Sequence, residues 1–170
     1  MAILPILLYG APELRTKARP VTVIDAALQK LIDDMVETMY AAPGVGLAAN
    51  QVGVLQRVLV MNPSERQDPE GLLALINPEI VLGEGEMVGE EGCLSIPDVR
   101  EDVKRHRRVA VRALGRDEKP LEIEATDLTA RVLQHEIDHL DGVLFVDRLS
   151  PAKKTLLRRQ LKKRFLDKKD

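Results

Sequence analysis

Apolar positions along the chain fall into a few periodic runs separated by polar stretches. Leu28, Leu31, Ile32, Met35 and Met39 recur at the helical period, Asp25 stands where a cap is needed, and Pro43 closes the run. Residues 57–61 read as a buried strand. Residues 72–76 and 79–82 read as two strands around Asn77-Pro78. Residues 109–114 and 121–125 flank a Gly-Arg-Asp-Glu-Lys-Pro loop, which predicts a hairpin. Leu128, Val132, Leu133, Ile137 and Leu140 form the stripe of a further helix, which Thr126 or Asp127 can cap and Gly142 can stop. A last helix opens at Ser150-Pro151, where Leu157, Leu161 and Phe165 make a narrow seam on a basic cylinder.

The stretches between are less regular. Residues 3–9 read as a short extended segment, and Pro12 and Pro20 bracket a loop. Residues 62–71 form a polar surface loop. The Gly- and Glu-rich stretch 83–92 shows no readable period. Residues 104–108 are basic and read as a solvated strand edge, with His106 given no functional role. Strands mixed with separate helices predict an α+β fold: short, mostly antiparallel sheets packed around a central helix, with an N-terminal and a C-terminal helix. No repeat or linker breaks the chain, so residues 1–170 read as one domain, with 151–170 as its basic C-terminal helix.

Composition sharpens this only in places. No apolar run is long enough to span a membrane. The apolar stretch from Ala2 to Tyr9 has no basic lead and is broken by Pro5, so it does not read as a signal peptide; the bacterial cytoplasm is the expected location. A single cysteine, Cys93, excludes an intrachain disulfide. Charge is unevenly spread: residues 151–170 hold nine Lys/Arg against two Asp, while the remaining residues hold 16 basic and 25 acidic groups. A basic helix on an otherwise acidic chain points to a polyanionic partner.

The candidate chemistry lies in Gln134-His135-Glu136-Ile137-Asp138-His139. On a helix, His135 and His139 stack one turn apart and can grip one metal ion. Glu136, about 100° round the helix from His135, can reach a water there without being a ligand. The third ligand is open. Downstream there is no histidine, and the first carboxylates are Asp141 and Asp147. Cys93, 42 residues before His135, would complete a three-ligand site with a free fourth position, provided the fold brings it there. Gly44-Val45-Gly46, followed by small residues and Gln51, suggests backbone that something approaches closely.

Three stretches together resemble the peptide deformylase family: Gly44-Val45-Gly46-Leu47-Ala48-Ala49-Asn50-Gln51, Glu91-Gly92-Cys93-Leu94-Ser95-Ile96-Pro97 and the His-Glu-x-x-His stretch, in that order, within a similarity that runs over nearly the whole chain. Arg131 departs from the resemblance, standing where an apolar residue is more usual. The resemblance implies a metal-dependent hydrolase that removes the N-formyl group from the initiator methionine of nascent chains, releasing formate. It implies Cys93, His135 and His139 as metal ligands and Glu136 as the residue that takes and returns the proton. The Gln51 side chain and the Leu94 backbone N–H are the implied oxyanion donors.

Gly44, Val45 and Gly46 are then expected to offer a backbone edge to the peptide. Leu128 and Val132 are expected to line the methionine pocket, Arg100 to lie near the substrate, and Asp138 to pair with Arg105 behind the ligands. One divalent ion is expected, Fe²⁺ as the native one, although Zn²⁺, Ni²⁺ or Co²⁺ would suit the same donors. N-formylmethionyl peptides are the implied substrates. Ribosomal RNA is the expected partner of the basic stretch from Lys153 to Lys169, with no membrane and a monomeric chain. Two rival readings are an endopeptidase that leaves Cys93 idle and a ribosome- or RNA-binding module whose metal is structural. The first would keep its metal without Cys93; the second would leave Glu136 without a task.

Overall fold

The apolar run Val58–Met61, one residue shorter than the strand expected at 57–61, is explained by a sheet covered on both faces. In the computed structural model, which describes residues 2–64 and 67–167, strands β1 (Gly46–Ala48), β2 (Val58–Met61), β3 (Leu73–Glu84), β6 (Arg108–Leu114) and β7 (Pro120–Thr126) form one antiparallel sheet in the order β1-β2-β3-β6-β7. Side chains alternate along β2. Leu59 and Met61 pack with Leu133, Ile137 and Leu140 of helix α2 (Asp127–Leu140). Val58 and Val60 pack with Leu28, Ile32, Met35 and Met39 of helix α1 (Ala26–Ala41). All four β2 residues are therefore buried. Asp25 caps α1 as expected, accepting from the Leu28 N–H at 2.9 Å.

Strands β4 (Met87–Cys93) and β5 (Ile96–Arg105) form a separate antiparallel ribbon. A third apolar cluster lies between the ribbon and the C-terminal part, joining Ile96 and Val103 to Leu144, Phe145 and Val146. Leu157 and Leu161 of helix α3 (Pro151–Leu161) complete it. The α+β class, the central helix and the helices at either end are thus as the sequence predicts.

Several local expectations are corrected. Residues 73–84 are one strand, because Asn77 adopts a left-handed conformation (φ 53°) at a register shift and the strand resumes beyond it. The Asn77 side chain pins Val21 by accepting from its N–H and donating to its carbonyl. The unreadable 83–92 stretch is the end of β3, a turn and most of β4. Thr126 occupies the N-cap position of α2 but makes no side-chain cap, and Asp127 turns its carboxylate to Arg107 instead. Residues 104–108 are no solvated edge throughout: Arg105 is buried. The loop expected at 62–71 lies outside the described residues at 65–66, as does the end of the basic stretch at 168–169.

Candidate active site

Helix α2 buries 11 consecutive residues, Ala130 to Leu140, so its polar side chains can persist there only with partners or a task. His135 and His139 lie one turn apart with ring centroids 5.0 Å from each other. The end of β4 brings Cys93 to them: its Sγ is 3.3 Å from His139 Nε2. One donor atom from each of Cys93, His135 and His139 falls within 4.8 Å of the others. Phe145 stacks on the His135 ring at 6.2 Å, closing one side.

These residues fit a divalent metal. A soft sulfur and two imidazoles converge on one point, and Glu136 and Glu91 stand close by. Burial works against a charged His135, but Glu136, Cys93 and Glu91 outweigh it and raise its pKa well above the ordinary value. Positive charge is favoured at that spot. Burial, with His135 adding to it, holds His139 well below its ordinary value, as a neutral ligand requires.

Glu136 is buried, and its Oε1 has no hydrogen-bond partner among the described residues. Burial pushes its pKa up to about 7, with Glu91 and Asp138 adding to the rise and His135 opposing it. The other side of the carboxylate rests on strand β1: a Cβ at Gly46 would lie 2.6 Å from Glu136 Oε2. Glycine is needed at 46 for room.

Gln51 is also buried. Its Oε1 accepts from the Ala48 N–H at 3.0 Å, which turns its amide nitrogen inward. That nitrogen donates to Ser95 Oγ at 3.0 Å and lies 3.6 Å from Cys93 Sγ.

A cavity of about 800 Å³ opens over these groups. Gly44, Val45, Gly46, Gln51, Cys93, Leu94, Arg100, Leu128, Val132, His135 and Glu136 all line it, whereas His139 lies behind the wall. Val132 is buried, but Leu128 is 54% exposed, so it belongs to the cavity rim and not to the core stripe expected of it. Leu94 packs its side chain over Gly44. Arg100 is exposed and donates to Glu90 at 2.6 Å. Strand β1 is an edge strand, so among the described residues one side of its backbone has no strand partner.

Sequence reasoning gave Glu91 no role, yet it is the hub behind the ligands. Its Oε1 meets His135 Nδ1 at 2.9 Å and accepts from Arg105 Nη2 at 2.8 Å. Its Oε2 accepts from Arg105 Nε at 2.9 Å and from Arg131 Nη1. Burial alone would raise the Glu91 pKa, but the hydrogen bonds from Arg105 and His135 hold it well below the carboxylate range. The anion fixes His135 with its proton on Nδ1 and leaves Nε2 free to ligate. Arg105 also donates to Asp138, the pairing expected from the sequence, and Arg148 binds Asp138 as well. The signal for Glu91 was available: a ligating imidazole needs a partner for its second nitrogen, and a glutamate stood two residues before the cysteine.

A family model for polypeptide deformylase matches residues 3–155. The chain is 54% identical over 162 residues to a peptide deformylase of Thermodesulfovibrio yellowstonii, covering 95% of this chain and 98% of that one. It is also 54% identical over 164 residues to one of Syntrophobacter fumaroxidans, covering 96% of each. Among solved structures, a peptide deformylase from Legionella pneumophila superposes with a TM-score of 0.87 at 46% identity, covering 99% of this chain and all of that one. One from Ehrlichia chaffeensis in complex with actinonin superposes at 0.88 with 38% identity, covering 98% and 99%.

Proposed function

The chain belongs to the polypeptide deformylase family, and on that premise we propose which side chains carry its reaction. The enzyme is a hydrolase that removes the N-formyl group from nascent chains. The observation that carries the assignment is Glu136: a buried carboxylate with one oxygen unpartnered among the described residues, beside a converging Cys93, His135 and His139.

Cys93, His135 and His139 would hold one divalent ion. When bound, that ion supplies a Lewis acid that polarises the formyl oxygen and acidifies the attacking water. Glu136 takes the proton of that water and returns it to the departing amine. The Gln51 amide nitrogen, held inward by its bond to Ala48, donates to the oxyanion as it forms, and the Leu94 N–H is the second donor. The open edge of β1, which begins at Gly46, together with Gly44 and Val45 leading into it, receives the peptide as an added strand. Val132 and the rim residue Leu128 enclose the methionine side chain, and Arg100 stands at the mouth. Fe²⁺ is the proposed native ion, residues 1–170 act as one catalytic unit, and the chain works as a monomer in the bacterial cytoplasm.

The test is formate release from a short formyl-methionyl peptide by protein prepared without oxygen and loaded with Fe²⁺. Glu136→Gln should lose about 10²–10⁴-fold in rate while retaining the metal; a variant that keeps its rate removes Glu136 from the proton's path. Air should inactivate the Fe²⁺ form through oxidation of metal or thiolate, and activity stable in air would remove Fe²⁺.

The basic C-terminal helix is proposed to meet ribosomal RNA. Of the stretch from Lys153 to Lys169, Lys153, Arg158 and Arg164 already pair with Glu101, Asp147 and Asp98 and Lys154 is half-buried, so among the described residues the contact falls to exposed Arg159, Lys162 and Lys163. Deleting the helix would strip Leu157 and Leu161 from the third cluster, so charge reversal is the cleaner probe. Reversing those three residues should abolish co-sedimentation with ribosomes at low salt; unchanged co-sedimentation sinks the proposal.

A further inference from the structure

We propose that Arg131 is a positioning residue that sets the Cys93-bearing ribbon in register on the histidine-bearing helix, and that Gly89 is the seat that allows it. The inference rests on the reading that Cys93, His135 and His139 hold one metal ion together.

Arg131 stands one helical turn before His135, and its side chain is only 9% exposed. A buried guanidinium is costly unless its donors are used. Nη1 donates to Glu91 Oε2 on β4 and, at 3.0 Å, to the carbonyl of Val103 on β5. One nitrogen of the helix therefore ties down both strands of the ribbon. The guanidinium lies against Gly89, which pairs opposite Val103 in the ribbon. A Cβ at Gly89 would come within 3.0 Å of Nη2 and 3.2 Å of Cζ. Gly89 is not in a left-handed conformation, so the missing side chain serves space and not backbone freedom.

The consequence falls on the ligands. Glu91 accepts four hydrogen bonds: two from Arg105, one from Arg131 and one from His135. Cys93 lies two residues further along the same strand. A displacement of Glu91 therefore moves the Cys93 sulfur and releases the His135 ring together. Arg105 cannot replace the missing clamp, because its remaining nitrogen is engaged with Asp138. An apolar residue at 131 could fill the volume, but it would leave Glu91 Oε2 with Arg105 Nε alone and the Val103 carbonyl without this donor.

The experiment compares full-length wild type with Arg131→Met, Arg131→Lys, Gly89→Val and Cys93→Ala. Zn²⁺ affinity is measured by chelator competition, the thiolate-to-cobalt absorption band in the Co²⁺ form, and the melting of the metal-free proteins. Arg131→Met and Gly89→Val should bind Zn²⁺ about 10–100-fold more weakly and shift the cobalt band. Arg131→Lys, which keeps a cation for Glu91, should recover part of the affinity. If Arg131→Met does not fold, Gly89→Val decides, since valine suits a strand and removes no hydrogen-bonding side chain, only the room that the guanidinium occupies. Wild-type affinity and spectrum in both variants, with only a lower melting temperature, would make Arg131 a brace and overturn the proposal. A wild-type protein without a thiolate band, or Cys93→Ala with one, would overturn the ligand reading itself.

Discussion

Helix α2 and the β4–β5 ribbon bring ligands to one site but are held in place by different forces. The helix is clamped by shape: Leu133, Ile137 and Leu140 interlock with Leu59 and Met61 of the large sheet. The ribbon has only two strands, and two strands alone are marginal in water. It buries just Glu91, Ile96, Val103 and Arg105, and half of those are charged. Apolar packing holds one face of it, and buried ion pairs to the helix fix its position. Apolar contacts tolerate small slips, whereas hydrogen-bonded charges specify one arrangement. The ligand that must meet two others across a gap sits on the element fixed by charge.

The strongest way to break that difference is Glu91→Ala. It leaves Arg105, Arg131 and His135 without their shared acceptor, and stranding buried charges costs about 3–5 kcal/mol. Urea unfolding of the metal-free protein reads the loss, and amide exchange should quicken in residues 87–105 well before 127–140. A cost below about 1 kcal/mol would mean that packing alone holds the ribbon. Next in size is Leu133→Ala, which opens a hole on the shape-held side and should cost about 2–5 kcal/mol. It touches none of the ion pairs, so exchange should rise evenly and Zn²⁺ affinity of the folded protein should stay at the wild-type level. A selective loosening of 87–105 in Leu133→Ala would erase the distinction between the two regions.

The same difference sets how much could be read from the sequence. α1 and α2 announce themselves, because a helix packed by shape repeats its apolar residues at a fixed period, and β2 shows as an apolar run because both sheet faces are covered. The ribbon has no such signature. Its four buried positions include the charged Glu91 and Arg105, so the stretch 83–92 shows no readable period and residues 104–108 read as a solvated edge. The ligands were legible because their chemistry is rare: two histidines at helical spacing and one cysteine. Their support was legible only in part: the Asp138–Arg105 pair is expected from the sequence and Glu91 is signalled by the need of His135 for a partner, whereas Arg131 and Arg148 are ordinary charged residues until the fold places them in contact. Leu128 misleads for the opposite reason: its spacing fits the buried stripe, but it lies at the helix start, where the cavity opens.

The smallest effect concerns the segment that links the helix to the floor of the ribbon. Asp147, in the short 3₁₀ turn Phe145–Arg148, accepts from the Leu144 N–H at 2.9 Å and pairs with Arg15 and Arg158. Burial alone would raise its pKa, but the Arg15 hydrogen bond, the Leu144 N–H and the neighbouring arginines together hold it below the ordinary carboxylate value of 3.8. A depressed folded-state pKa means that the stabilisation is complete above the unfolded value and fades as pH falls through the folded one. Asp147→Asn keeps an acceptor and loses the charge, and since Arg15 is 41% exposed on its side chain, water screens the pair. The variant should be less stable at neutral pH by about 0.5–1 kcal/mol. In metal-free protein, where ligand protonation does not intrude, the gap in melting temperature between wild type and Asp147→Asn should hold steady from pH 7 down to about 5 and narrow below the ordinary carboxylate range. A gap that persists unchanged in acid would assign the loss to the shape of the turn, placing this segment with the helix; a gap that closes places it with the ribbon, among the parts held by charge.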